Sequence, residues 1–267
     1  MPSNSDRPRR VSLTTDVGEG FGHWRIADDA ALLEQVTGAN VACGFHAGDP
    51  DIMRRTCDTA ARNGVSIGAQ VSYRDLAGFG RRYIAVPVET LTNDLVYQIG
   101  ALEAFARVTG SRVSYVRAHG ALYNVAATNR DHATALVDAV WRYDASLPLL
   151  CQTGTATWKI ARQRGVATIA EAFVDRAYTR DGLLLTRDHP EALLTDPQQA
   201  AERAVRLATT GEITSVDGVE IEVAADSLLV HSDTPDAVEI ALATRQALEA
   251  AGVALGPVAQ QPLDRNR

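Results

Sequence analysis

The chain has 267 residues, 46% hydrophobic and 22% charged, with a formal net charge of −7. That profile excludes disordered, collagenous and mucin-like chains, and an acidic chain with no Arg-rich stripe argues against a nucleic-acid partner. No uncharged run reaches the roughly 18 residues of a membrane span, and MPSNSDRPRR is not followed by the apolar stretch of a signal peptide, so a cytoplasmic protein with no membrane partner is expected.

Short β-branched runs alternate with longer helical patterns. Residues 11–17 are predicted as a strand, 28–36 as a helix and 40–45 as the second strand. Pro50 opens a helix running to about Asn63, with Gly64 closing it. The third strand is 65–71, followed by the Gly-rich DLAGFGRR and a helix over 88–109. Strands are then predicted at 112–118, 147–152, 167–173 and 227–231, with helices at 131–141, 155–164, 197–209 and 235–251. Residues 213–223 read instead as a β-hairpin around Asp217-Gly218. Arg7, Arg9 and Arg10 read as a solvated cluster, so residues 1–10 are assigned to a tail, 11–256 to one catalytic domain and 257–267 to a C-terminal tail.

Seven β-then-α units with no linker require parallel strands joined by crossovers, and one closed barrel uses about 250 residues. The predicted class is α/β, an irregular seven-stranded β/α barrel. Cys43, Cys57 and Cys151 lack a CxxC spacing and read as buried small side chains in a reducing compartment. Lys159 is the sole lysine, which disfavours Schiff-base chemistry.

Strand after strand ends in a residue that is costly to bury alone. Asp16 and Glu19 follow the first; Asn40 lies in the second and His46 after it; Gln70 and Tyr73 mark the third. Arg117 and His119 end the fourth, Gln152 the fifth, Glu171 and Asp175 accompany the sixth, and His231 and Asp233 follow the last. A barrel gathers these ends at one mouth, so a single polar site is expected. His231 fits either that site or a structural role. Gly18, Gly20 and Gly22 are spaced GxGxG with no helix starting directly, which favours a turn over a dinucleotide loop. Neither a Walker loop nor a Gly-x-Ser-x-Gly elbow occurs.

DVGEGFG, NVACGFHAGDPDIM, GAQVSYRDLAGFGRR, HGALYN, EAFVDRAYTRDGLLLTR and HSDTPDAV, in this order, closely resemble the LamB/YcsF family over roughly residues 11–256. The resemblance implies a barrel similar to that of the glycoside hydrolases and polysaccharide deacetylases. It also implies the A subunit of an ATP-dependent 5-oxoprolinase, which opens 5-oxo-L-proline to L-glutamate with two companion subunits, B and C, and with ATP as co-substrate. Alternatives are a divergent paralogue hydrolysing another amide or lactam, and a ligand-binding subunit without chemistry.

Carried over position by position, Asp16, His46 and His119 are the expected catalytic residues, with Asp16 or His46 as general base and His119 donating to the leaving ring nitrogen. Asn40, Gln70, Tyr73, Arg81, Arg117, Tyr123, Asn124, Glu171, Asp175 and Arg176 are expected to bind substrate; Arg81, Arg82 or Arg176 would fork onto its carboxylate. The chain departs from the family pattern at Thr14, Gln70 and Arg117, where Asn, His and Lys are expected. Asp16, His46 and His119 have the donor types of a deacetylase metal centre, but Gln70 removes a further imidazole, and no obligatory metal is expected.

Overall fold

Residues 9–258 are described in the computed structural model. They run β1 (Arg10–Val17), α1 (Asp29–Gln35), β2 (Gly38–Ala42), α2 (Pro50–Arg62), β3 (Ser66–Val71), α3 (Val88–Val108), β4 (Val113–Ala118), α4 (Gly120–Thr128) and α5 (Arg130–Asp144). There follow β5 (Leu149–Cys151), α6 (Ala156–Arg164), β6 (Thr168–Phe173), α7 (Pro197–Thr209), β7 (Glu212–Thr214), β8 (Glu220–Glu222), β9 (Ser227–Val230), α8 (Ala237–Ala250) and β10 (Ala254–Leu255). Strands β1 to β6 and β9 pair in parallel in that order, and β9 returns to β1, closing the expected seven-stranded barrel. β7 and β8 form the expected antiparallel hairpin outside it.

Local chemistry sets the helix starts. Pro50 needs no N–H partner in the first turn, and Asp49 Oδ1 accepts from Ile52 N at 2.9 Å; Asp196 caps α7, which opens with Pro197, in the same way at 2.9 Å. The main apolar core joins outward-facing strand residues such as Leu13, Val41 and Val71 to the helices. Tyr115, Leu150, Ile169 and Val258 make a separate cluster within the barrel. Gly68 makes room for it: a Cβ there would lie 2.1 Å from the Tyr115 ring.

Three elements differ from expectation. β2 ends at Ala42 rather than residue 45, because Gly44, at φ +93°, turns the chain and its N–H meets Ala47 O at 2.8 Å, carrying His46 on the turn. α4 was not anticipated: the segment is apolar on nearly every side, so no amphipathic period shows. Asn129 ends it and caps α5, accepting from Asp131 N and His132 N at 3.0 and 3.1 Å. Arg10 begins β1 and pairs with Ala254 of β10, and Val258 is wholly buried, so both belong to the folded unit rather than to the tails. Residues 1–8 and 259–267 of those tails lie outside the described residues. Among the described residues the three cysteines are buried and unpaired, and no helix is long and apolar enough to cross a membrane.

Candidate active site

Side chains facing the inside of a barrel recur at every second strand residue, and groups on non-adjacent strands meet only across that interior. Asn40 donates to Asp16 Oδ1 at 3.0 Å and accepts from the Tyr115 hydroxyl at 2.8 Å. Arg117 bridges the barrel, with Nη1 3.1 Å from Asp16 Oδ1 and Nε 2.8 Å from Glu171 Oε1. Burial opposes the Arg117 charge, but Asp16 and Glu171 hold it firmly protonated. Burial pushes the Glu171 carboxyl up against the pull of Arg117. Glu171 Oε2 and the Tyr123 hydroxyl influence each other electrostatically, yet neither makes a hydrogen bond of good geometry.

A second network centres on Gln70, whose amide nitrogen donates to Glu19 Oε1 and His119 Nδ1, each at 3.0 Å. His119 Nε2 lies 3.0 Å from Phe79 O, which only accepts, so the Nε2 proton belongs there and Nδ1 accepts from Gln70. His46 Nε2 faces Gln70 Oε1 at 3.2 Å, and its Nδ1 has no partner. Its ring stacks on His119, centroids 4.1 Å apart. Burial pushes His46 well below its ordinary pKa. Gly80 lets the Gly-rich loop close on the stacked rings, since a Cβ there would lie 2.8 Å from His46 Cβ and 2.9 Å from His119 Cδ2.

Donor atoms of Glu19, His46 and His119 lie within 4.8 Å of one another. A transition ion needs ligands converging on one point at about 2.0–2.2 Å. The two imidazoles are stacked only 16° from parallel, and the Gln70 amide contacts both rings and Glu19. Asp16, the third member of the deacetylase-type set, is committed to Arg117 and Asn40. In this structure Gln70 knits Glu19, His46 and His119 together by hydrogen bonds.

A cavity of about 400 Å³ opens at this end of the barrel, lined by Asp16, Arg117, His119, Tyr123, Phe173 and His231 among others. Leu184, Thr186 and Arg187 of the segment between β6 and α7 complete its wall. That segment is folded by bridges Arg176–Leu193 and Tyr178–Leu184 and tied to the end of β5 by Gln152 Nε2 donating to Gly182 O at 3.0 Å. His231 Nδ1 lies 2.9 Å from Asp175 Oδ1, and the same carboxylate accepts from His231 N and the Thr234 hydroxyl at 3.0 and 2.6 Å. Burial works to raise Asp175, but His231 and these hydrogen bonds keep it ionised. A carboxylate only accepts, so Nδ1 carries a proton, and Nε2, with no hydrogen bond among the described residues, is left for the cavity that His231 lines. A separate hollow of about 490 Å³ between α1, α2 and residues 20–27 contains none of these strand-end groups.

Of the expected residues, Asp16, Arg81, Arg117, His119, Tyr123, Asn124 and Arg176 line the cavity. Asn40, His46, Gln70 and Glu171 are wholly buried within the two networks that reach it, and Asp175 lies behind His231. Tyr73 departs from its expected role: its hydroxyl lies 2.6 Å from His132 Nδ1 of α5, outside the cavity, because the chain turns outward after β3. His46, expected as a candidate base, is wholly buried and does not line the cavity. Arg82 is paired with Asp75 outside the cavity. Gly20 forms the expected turn: Gly48 N donates to its carbonyl at 2.7 Å, and a Cβ there would lie 2.4 Å from Trp24 O.

Tyr115, Arg187 and Ser232 join the site without having been placed in it, and Glu19 and His231 take the places at the mouth that their strand-end positions predicted; Ser232 donates to Glu19 Oε2 at 3.1 Å. Glu19 and His231 carry the strand-end signal, whereas Arg187 lies in a segment with no period to mark it.

The sequence profile of the LamB/YcsF family matches residues 11–262. A Mycobacterium leprae protein, named as the A subunit of 5-oxoprolinase, is 51% identical over 243 residues, 91% of this chain and 96% of that protein. A Streptomyces avermitilis protein of the same name is 53% identical over 243 residues, covering 91% and 97%. The crystal structure of a lactam utilization protein from Thermus thermophilus superposes with a TM-score of 0.88 at 41% identity, covering 92% of this chain and 99% of that one. With near-complete coverage in each comparison and the same closed barrel, this chain belongs to the LamB/YcsF family.

Proposed function

We propose that this chain is a hydrolase and the A subunit of an ATP-dependent 5-oxoprolinase, opening 5-oxo-L-proline to L-glutamate with companion subunits B and C. The names of its relatives support the activity, and the Mycobacterium leprae and Streptomyces avermitilis proteins are named as one subunit of an assembly. The observation that carries the mechanism is the Asp175–His231 pair at the wall of an amino-acid-sized cavity also lined by guanidiniums.

A five-membered lactam is a resonance-stabilised amide whose carbonyl resists water. ATP-driven phosphorylation of its oxygen makes the ring carbon electrophilic. His231, fixed by Asp175 with Nε2 toward the cavity, takes a proton from the attacking water. As the C–N bond breaks, the ring nitrogen keeps the electron pair and accepts the proton that His231 took, leaving the amine of γ-glutamyl phosphate, and a second water cleaves that acyl phosphate to glutamate and inorganic phosphate. In this reading His231 replaces Asp16 and His46 as the base, since Asp16 is clamped by Arg117 and His46 lies beneath the cavity. His119, already held at both ring nitrogens, positions the wall of the cavity.

The test is glutamate release from 5-oxoproline and ATP by this chain with and without its companion subunits. Release requiring all three, and falling about a hundredfold or more in His231→Asn, is expected. No release from the complete set, or unchanged turnover in the variant, overturns the reading.

A further inference from the structure

Three guanidiniums crowd one wall of the cavity. Arg81 and Arg187 share a single carboxylate: Arg81 Nη2 lies 2.5 Å from Asp233 Oδ2, and Arg187 reaches both Asp233 oxygens at 3.2 Å. Burial works to raise that carboxyl, yet the two arginines hold it down at about 2. Arg176 lines the same cavity, is only 3% exposed, and has no ion pair among the described residues. Its Nε and Nη2 donate to the carbonyls of Ala192 and Leu185 at 3.3 and 2.5 Å, and its Nη1 has no hydrogen bond among the described residues. Neighbouring Asp175 is committed to His231 and Thr234. Burial and the like charges of Arg187 and, less, Arg81 bring Arg176 down to about 10.

Three guanidiniums face two ionised carboxylates: Asp233 is shared by Arg81 and Arg187, and Asp175 attracts Arg176 without an ion pair to it, so Arg176 is a buried cation with no direct partner among the described residues. Such a charge is strongly unfavourable unless a ligand supplies the counter-ion. We propose that this wall is the seat of a phosphoryl dianion, bound by Arg176 and Arg187 with Arg81, while Asp233 holds two of the three arginines in place. A carboxylate cancels one charge. A phosphoryl group carries more charge and offers three oxygens to guanidinium forks, where a carboxylate offers two. The seat does not depend on the lactam reading. If that reading holds, this chain receives its lactam with the amide oxygen already phosphorylated, and the ATP-consuming step precedes it.

Inorganic phosphate is the probe, titrated calorimetrically into the full chain at constant ionic strength, with acetate as the monocarboxylate control and thermal unfolding as a second readout. Phosphate is expected to bind saturably and to raise the melting temperature, with acetate binding at least about tenfold more weakly. Arg176→Gln and Arg187→Gln should each weaken phosphate at least about tenfold, the loss of one charge-assisted contact. Arg176→Gln should also raise the melting temperature of the ligand-free protein, which separates a lost seat from a misfolded variant, and Arg82→Gln should bind as the parent does. No saturable phosphate binding, equal binding of acetate, or full phosphate affinity in both Arg176→Gln and Arg187→Gln overturns the proposal. Neither readout uses 5-oxoproline or ATP, so failure here is distinguishable from failure of the lactam reading.

Discussion

Replacing Arg117 by Gln removes the cation that spans Asp16 and Glu171, both of whose side chains are at most 3% exposed. Breaking a buried pair from one side leaves an uncompensated charge and costs about 3–5 kcal/mol. Glu171 partly escapes by keeping its proton. Burial already raises its pKa, and without Arg117 nothing of comparable strength opposes that. The folded variant then holds a proton that an unfolded Glu releases above about pH 4.3, so its stability falls as pH rises. The deficit relative to the parent is therefore small near pH 5 and approaches the full figure at pH 8. Urea unfolding followed by far-UV circular dichroism at both pH values reads it directly. Glu171→Gln in the same background should recover much of the loss, and Arg117→Lys should cost less than Gln, because an ammonium keeps the charge but not the fork. A deficit under about 1 kcal/mol at pH 8, or one independent of pH, refutes the reasoning.

Burial holds the Asp29 carboxyl up at about 6 despite a hydrogen bond from Gly18 N. The folded state then binds the extra proton between the ordinary 3.8 and about 6, and stability drops as pH rises through that window. Asp29→Asn should add about 2 kcal/mol at pH 7.5, after discounting for partial exposure, and nothing near pH 3.5, by chemical denaturation. Gly68→Ala drives a methyl into the Tyr115 ring and should cost about 1–3 kcal/mol or more, with Tyr115→Leu in the same background restoring part of it. Asp175→Asn should lower turnover about a hundredfold or more by disturbing the His231 tautomer and orientation, with KM changing less than kcat in steady-state assays.

Alternation of β-branched runs with capped helices was enough to predict a parallel barrel, because parallel neighbours demand crossovers and each helix start is written in adjacent residues such as Asp49-Pro50. Strand-end positions likewise marked Asp16, Arg117 and His119, since a polar group ending an apolar run faces the barrel mouth. α4 escaped because a short segment apolar on nearly every side shows no period. What a side chain meets across the barrel lies many residues away and leaves no local trace. Tyr73 ends its strand as Gln70 does, yet one turns out to His132 and the other joins two histidines and Glu19. Chain order determined which residues could reach the mouth; only closure of β9 onto β1 decided that His231 and Arg187 face the same cavity as Asp16, since long-range packing alone sets those distances.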